Sequence, residues 1–329
     1  MIENFIKSNH YDEALTYLNN PNQVNSYNLL KRILLCQHLI DPSKYKIYRV
    51  YLLCNWTSSK NIANVWNKMT SGNYTYKNIE LCWSEPCDYY CIVNSPPPDT
   101  KYDPKRTILL HMEPNMNINT HLWGEFSLPH NKTFFKVFNH QDYFNTLEWH
   151  ISKTFNELKE DQFIVNKSKM LSIIISNKYV DQGHKFRIDL LKYLDSKNVD
   201  IDVYGSNDGY KSYKGSLPYH MKDDGLLPYK YHIAVENHSI PNYFTEKIVD
   251  SVISNCLTFY WGCPNINEYI VDKSYILLDI NSMERSMNII QDAIKNDEWS
   301  KRIKYILQSK SLIMNDLNAV RRLYDCVNT

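Results

Sequence analysis

Residues 171–175, Leu-Ser-Ile-Ile-Ile, constrain this chain more than any other stretch. A short run dominated by β-branched residues, without polar alternation, reads as a strand buried on both faces. Such strands belong to parallel sheets covered by helices on each side. After a loop carrying Gly183, residues 184–194 place Phe186, Leu190 and Leu194 on one face of an amphipathic helix. Residues 199–204 read as the next strand, closed by Gly205. This is a βαβ unit, with a right-handed crossover expected. Six of the eight glycines (183, 205, 209, 215, 225, 262) fall between 183 and 262. Glycine serves where backbone turns sharply or approaches a ligand closely, so the ligand is expected in the second half. Neither a GxGxxG nor a GxxxxGK[ST] motif is present, which excludes an ordinary dinucleotide fingerprint and a P-loop.

The first half predicts a second α/β layer. Residues 47–53, 89–93 and 107–111 read as strands and 61–69 as a helix, with Pro96-Pro97-Pro98 as a stiff connector. Residues 1–40 predict a helical hairpin. Ile2, Phe5, Ile6, Ala14, Leu15 and Leu18 stand at helical spacing, Asn19-Asn20-Pro21-Asn22 breaks the pattern, and a second helix spans 27–39. It reads as a packing appendage, with partner docking as the alternative. The expected organisation is a hairpin over 1–42, a Rossmann-like domain over 43–165, a second over 166–280, and C-terminal helices over 281–329. A length of 329 residues suits two domains.

Composition narrows the function. A net charge of +1 disfavours a broad nucleic-acid surface, yet allows a small anion held by a few cations. No run approaches a membrane span, and the N-terminus has no signal-peptide pattern, so a cytoplasmic protein is expected. The eight cysteines form no CxxC, and the trio Cys82, Cys87, Cys91 lacks paired zinc spacing; buried free thiols are the reading. His111, His121, His130, His140 and His150 are not at metal-ligand spacing and read as structural. Trp123 reads as core packing or a sugar-stacking platform, and Asp223-Asp224 as a turn.

The most informative segment is 229–269. Glu236 and Asn237 stand at the carboxyl end of a predicted strand, where open α/β sheets bind ligands. Thr245 is a good N-cap, and the helix after it buries Ile248, Val249, Val252 and Ile253. Lys247 then sits at the positive end of a helix dipole, which suits a phosphate. Glu246 beside it is placed to accept hydrogen bonds from sugar hydroxyls. A capped helix with a surface Glu-Lys pair fits these residues equally well.

Glu236-Asn237, Tyr243, Thr245-Glu246-Lys247 and Phe259-Tyr260-Trp261-Gly262 resemble, in identity and spacing, the family 10 glycosyltransferases, the α-1,3/1,4-fucosyltransferases. Ser176-Asn177 with Arg187 and Leu194 resembles a second family segment, whose Arg opens a helix and contacts the donor diphosphate. Residues 108–115 are similar to the strand end that presents the family's catalytic Glu. His238 for Ser and Thr258 for Pro depart from the pattern. The likeness covers about residues 170–270 well, 45–165 thinly and 1–40 not at all.

The resemblance implies a GT-B fold: two Rossmann-like domains facing a cleft, with acceptor on the first and GDP-fucose on the second. It implies inverting transfer of fucose to a glycan hydroxyl. Another GDP-deoxyhexose as donor, or a non-catalytic binding protein on a decayed transferase fold, are the alternatives. By the same resemblance Glu113 is the catalytic base, and Arg187, Asn237, Tyr243, Glu246, Lys247 and Lys230 contact the donor. No cofactor or metal is expected, because two cations and a helix N-terminus stand in for Mg²⁺ and no DxD pair is present.

Overall fold

The computed structural model describes residues 2–18, 30–31, 34, 39, 46–70, 72–113, 126, 133–139, 148–159, 167–206 and 208–328. These form two compact units. The first comprises residues 1–110, 121–137 and 319–329; the second comprises 111–120 and 138–318.

In the first unit, helices α1 (Ile2–Lys7) and α2 (Tyr11–Leu18) pack Ile2, Phe5 and Ile6 onto Ala14, Leu15 and Leu18. The periodicity over 2–18 is therefore carried by two helices instead of one. Asn9 adopts a left-handed conformation (φ 61°), and Ser8 turns its hydroxyl back to the Asn4 carbonyl, which ends the first helix. Most of the second expected helix, 27–39, lies outside the described residues, as do Trp123, His121, His130 and His140.

A six-stranded sheet follows, built from β1 (Tyr48–Cys54), β2 (Thr75–Tyr76), β3 (Ile79–Cys82), β4 (Tyr89–Val93), β5 (Thr107–Leu110) and β6 (Lys136–Phe138). The order is β2-β3-β1-β4-β5-β6. β1, β3, β4 and β5 run parallel; β2 turns back on β3. Helix α3 (Ser59–Asn67) covers this sheet with Ile62, Ala63 and Trp66, and Ser58 caps it by accepting from the Asn61 N–H.

The second unit holds a sheet of β7 (Lys169–Ile175), β8 (Asp202–Gly205), β9 (Tyr213–Gly215), β10 (Tyr229–Val235), β11 (Leu257–Trp261) and β12 (Tyr275–Leu277). Every pair is parallel, and the order is β12-β11-β10-β7-β8-β9. Counted from its first strand, that is the doubly wound dinucleotide order, which reverses between β7 and β10. The helices of this unit are α4 (Phe155–Lys159), α5 (Gln182–Ser196), α6 (Asp223–Leu226), α7 (Glu246–Ile253), α8 (Met283–Lys295) and α9 (Glu298–Asn315). The final helix, α10 (Ala319–Asn328), returns to the first unit. There Tyr324 meets Tyr76 edge-on, and Asn328 exchanges amide hydrogen bonds with Asn78. The C-terminal region, expected as one set of helices over 281–329, is thus divided between the units. Asp223-Asp224, expected as a turn, opens the short helix α6, and the Asp223 carboxylate accepts from the Ser152 N–H and hydroxyl at 2.8 and 2.5 Å.

Candidate functional site

The site is organised around the end of β10. Glu236, the residue after the strand, is fully buried, and its carboxylate accepts from the Thr245 N–H at 2.9 Å and the Thr245 hydroxyl at 2.7 Å. Thr245 is the N-cap of α7. A buried carboxylate therefore ties the carboxyl end of one strand to the amino end of the helix that follows. Two glycines make room for it. A Cβ on Gly183 would stand 1.7 Å from the Glu236 carbonyl oxygen, and one on Gly262 would stand 2.4 Å from Glu236 Cγ. Burial pushes the Glu236 carboxyl up, against the opposing pull of Lys247, whose Nζ lies 3.5 Å from it.

Lys247 occupies the first turn of α7. Its ammonium donates to Thr245 Oγ1 at 3.0 Å and to Glu246 Oε1 at 3.3 Å. Arg187 arrives from the second turn of α5. It does not open that helix, and it is not a solvated position: the residue is 7% exposed. Its guanidinium donates to the Val235 carbonyl and to Asn237 Oδ1, each at 3.0 Å. The Gly183 N–H donates to the Asn237 carbonyl at 2.9 Å, so the amino end of α5 is fastened to the same strand end.

These groups surround a cavity of about 310 Å³. It opens beside Ile174, Ile175 and Ser176 at the end of β7 and Val235 and Asn237 at the end of β10, the two strands between which the order reverses. Ligands of doubly wound sheets bind at that point. Four cations line it (Lys178, Arg187, Lys222, Lys247) against two carboxylates (Glu246, Asp250), an excess of two positive charges. His184 and His232 also line it. Burial, aided by Arg187, brings the His184 imidazole down to about 4; burial, aided by Lys222, brings His232 down to about 3. Both are neutral at physiological pH, and His184 accepts the Asp181 N–H on Nδ1.

Sequence reasoning missed Lys222. It pairs with Asp250 at 2.8 Å and Glu246 at 3.7 Å. Burial opposes its charge, but Asp250 and Glu246 outweigh it and hold the ammonium above its ordinary value. Glu246 is held well below the carboxylate range: burial works against this, and Lys247 and Lys222 together overcome it. Both residues are fully ionised in the cavity wall.

The remaining predicted residues separate into three cases. Tyr243 is buried and does not line the cavity, although its hydroxyl feels Glu236, Glu113, Glu246 and Arg187. Glu113 groups with the second unit, lies outside the lining residues and is exposed to solvent. Crowding by surrounding protein, partly offset by Lys247, raises its carboxyl above the usual range. Lys230 is a correction. It is the second residue of β10, about 20 Å of extended chain from Glu236. There it pairs with Asp297 at 3.6 Å and lies over the Trp299 ring. The wrong end of the strand removes it from the donor group.

Comparison with known proteins agrees with the geometry. Residues 164–305 match the family model described as glycosyltransferase family 10 (fucosyltransferase), C-terminal region. The α-(1,3)-fucosyltransferase FucT of Helicobacter pylori is 29% identical over 86 residues, 25% of this chain and 18% of that protein. The GDP-fucose protein O-fucosyltransferase 3 of Danio rerio is 22% identical over 138 residues, 39% of this chain and 29% of that protein. The aligned segments thus span less than a third of either relative. Among solved structures, an α-glucosyltransferase in complex with UDP and a 13-mer DNA aligns over 86% of this chain and 100% of its own, with a TM-score of 0.54 and 9% identity. At that identity the likeness is one of fold, the GT-B type with two parallel-sheet units. No described helix is long and apolar enough to cross a membrane.

Proposed function

Because residues 164–305 carry a family 10 glycosyltransferase (fucosyltransferase) C-terminal domain, we propose that the chain transfers fucose from GDP-fucose to a hydroxyl of a glycan acceptor, with inversion at the sugar carbon. The observation that carries this reading is the cavity between the ends of β7 and β10, with its excess of two positive charges. A departing diphosphate develops negative charge, and fixed donors already aimed at it need no reorganisation as the bond breaks. Lys247 supplies a point charge at the start of α7, and the remaining N–H groups of the buried Arg187 supply oriented donors. Lys222 adds a third cation. Asn237 holds Arg187 in place, and Glu246, ionised in the wall, offers acceptors to hydroxyls of the donor.

Glu113 is the proposed base. It takes the acceptor proton as the new C–O bond forms and the C–O bond to the diphosphate breaks on the opposite face. A raised carboxyl pKa brings the base closer to the working pH. In this reading the cations do the work of a metal at the diphosphate. A second cavity, of about 340 Å³, lies in the first unit beyond the ends of β1 and β4, walled by Asn55, Pro96, Pro97, Pro98, Tyr102 and Phe126. It is the proposed acceptor surface, since apolar rings and a stiff proline wall suit the faces of sugars.

The clamp reads charge and leaves the sugar to other contacts. The test is therefore a transfer and donor-hydrolysis screen with GDP-fucose, GDP-mannose and GDP-rhamnose against a small acceptor panel. Turnover of GDP-fucose is expected. Turnover of another GDP-sugar alone would reassign the donor, and failure to bind GDP at all would remove the transferase reading.

A further inference from the structure

We propose that Glu148, His150 and His220 form a binding site for a first-row divalent cation of the Zn²⁺ class, beside the donor cavity and separate from it. The inference stands whether or not the chain transfers fucose. It rests on two segments far apart in sequence that meet in the second unit. One ligand atom from each of the three residues can be chosen so that all lie within 4.8 Å of one another. His150 Nε2 is 2.8 Å from Glu148 Oε1, and the His150 and His220 rings meet edge-on with centroids 3.9 Å apart. Tetrahedral zinc with bonds of about 2.0–2.1 Å needs its ligand atoms roughly 3.4 Å apart, so small side-chain rotations complete the geometry.

The backbone beneath the cluster is already fixed. The Lys222 N–H donates to the His150 carbonyl at 2.8 Å, and the His150 N–H donates to Asp250 Oδ1 at 2.6 Å. His220 sits in the left-handed region (φ 54°), which His adopts more readily than most non-glycine residues, and its ring meets that of His150. Glu148 is buried, and His220 Nδ1 is shielded from solvent. Three carboxylates, Glu148, Glu246 and Asp250, stand against the two ammonium groups of Lys222 and Lys247, an excess of one negative charge. Two imidazoles and one carboxylate suit zinc, cobalt or nickel, whereas Mg²⁺ and Ca²⁺ prefer all-oxygen sites. Three protein ligands leave the fourth position to water. Because Lys222 reaches both the His150 backbone and the donor cavity, an ion here would brace the loop that presents Lys222.

The full chain, stripped with a chelator, is titrated with Zn²⁺ against a competing chromophoric chelator. Wild type is expected to take up one equivalent, unaffected by millimolar Mg²⁺. His220→Ala and His150→Ala are each expected to weaken that uptake about 100-fold or more, since even an outer-shell partner costs 10–100-fold. The seven described cysteines are thiols and are the competing ligands. X-ray absorption at the zinc edge of the wild-type complex is therefore measured as well, and stands even if both variants misfold. A nitrogen and oxygen shell with two imidazoles is expected. A shell containing sulfur, equal affinity in folded His220→Ala, displacement by Mg²⁺, or no uptake by wild type would each overturn the proposal.

Discussion

Lys247 and Arg187 reach the same cavity by different routes, and the two substitutions should differ accordingly. Lys247 is partly exposed; among the described residues its ammonium hydrogen-bonds near neighbours in the chain, Thr245 and Glu246, and pairs with Glu236. Lys247→Ala is expected to lower kcat/KM by about 10²–10³ and weaken GDP binding, and to lower the melting temperature only as far as Glu236 and Glu246 lose their counter-charge. Arg187→Ala should lose the same activity and also about 1–3 kcal/mol of stability, because a buried strand-end carbonyl and Asn237 lose their donor. Paired GDP calorimetry and thermal melts separate the two. Glu113→Gln is expected to abolish transfer while GDP affinity stays unchanged. In the wild type, kcat/KM should fall as pH drops through a value above the ordinary carboxylate range, because the protonated base cannot accept the acceptor's proton. Lys247 was legible from the sequence because its neighbours in the chain cap its own helix. The burial of Arg187 was not, because helix phase alone faces it to solvent while its partners are supplied by β10. Lys222 carries no local pattern at all; Asp250, 28 residues on, gives it meaning.

At the scale of elements, the β10–α7 junction rests on one buried carboxylate and one hydroxyl. Thr245→Ala removes the N-cap and an acceptor's partner together, and a loss of about 1–2 kcal/mol in chemical denaturation is expected. The floor of the cavity also makes the fold pH-dependent. His232 and His184 have folded-state values of about 3 and 4, below the unfolded value of about 6.5. As pH falls, the unfolded chain takes up protons first. The stability these residues confer is complete above about pH 6.5 and is lost toward pH 4 and 3, at up to ~1.4 kcal/mol per pH unit for each. Denaturation at pH 7, 6 and 5 should show a shallower decline in His232→Gln than in wild type. The strands themselves were largely legible, since an apolar run such as 171–175 has one reading in a covered parallel sheet. Boundaries were less so. β10 begins at Tyr229, which is buried against Tyr204, a contact across β7 that no local window contains.

The whole molecule is two sheet units whose sequences interleave. The sequence reading separated an acceptor-side domain, a donor-side domain and a set of terminal helices, since periodicity identifies an amphipathic helix without naming the sheet it covers. α10 buries Val320, Leu323, Cys326 and Val327 in the first unit, while every residue lining the donor cavity belongs to the second. Deleting residues 319–328 should therefore lower the stability of the first unit by several kcal/mol, at about 1.5–3 kcal/mol per buried aliphatic side chain. GDP affinity, measured on the same protein, should be retained.

That returning helix also bears on how the polypeptide is made. Folding during translation ordinarily proceeds from the amino end. Here the sheet that begins at Tyr48 has α3 but lacks its last covering helix until residue 328 has cleared the ribosome, whereas the sheet begun at Lys169 has all its strands by Leu277. The later-encoded half can close first, and the earlier one must wait, with its Tyr76–Lys77 edge open to chaperones, until the nascent chain brings α10 back to it.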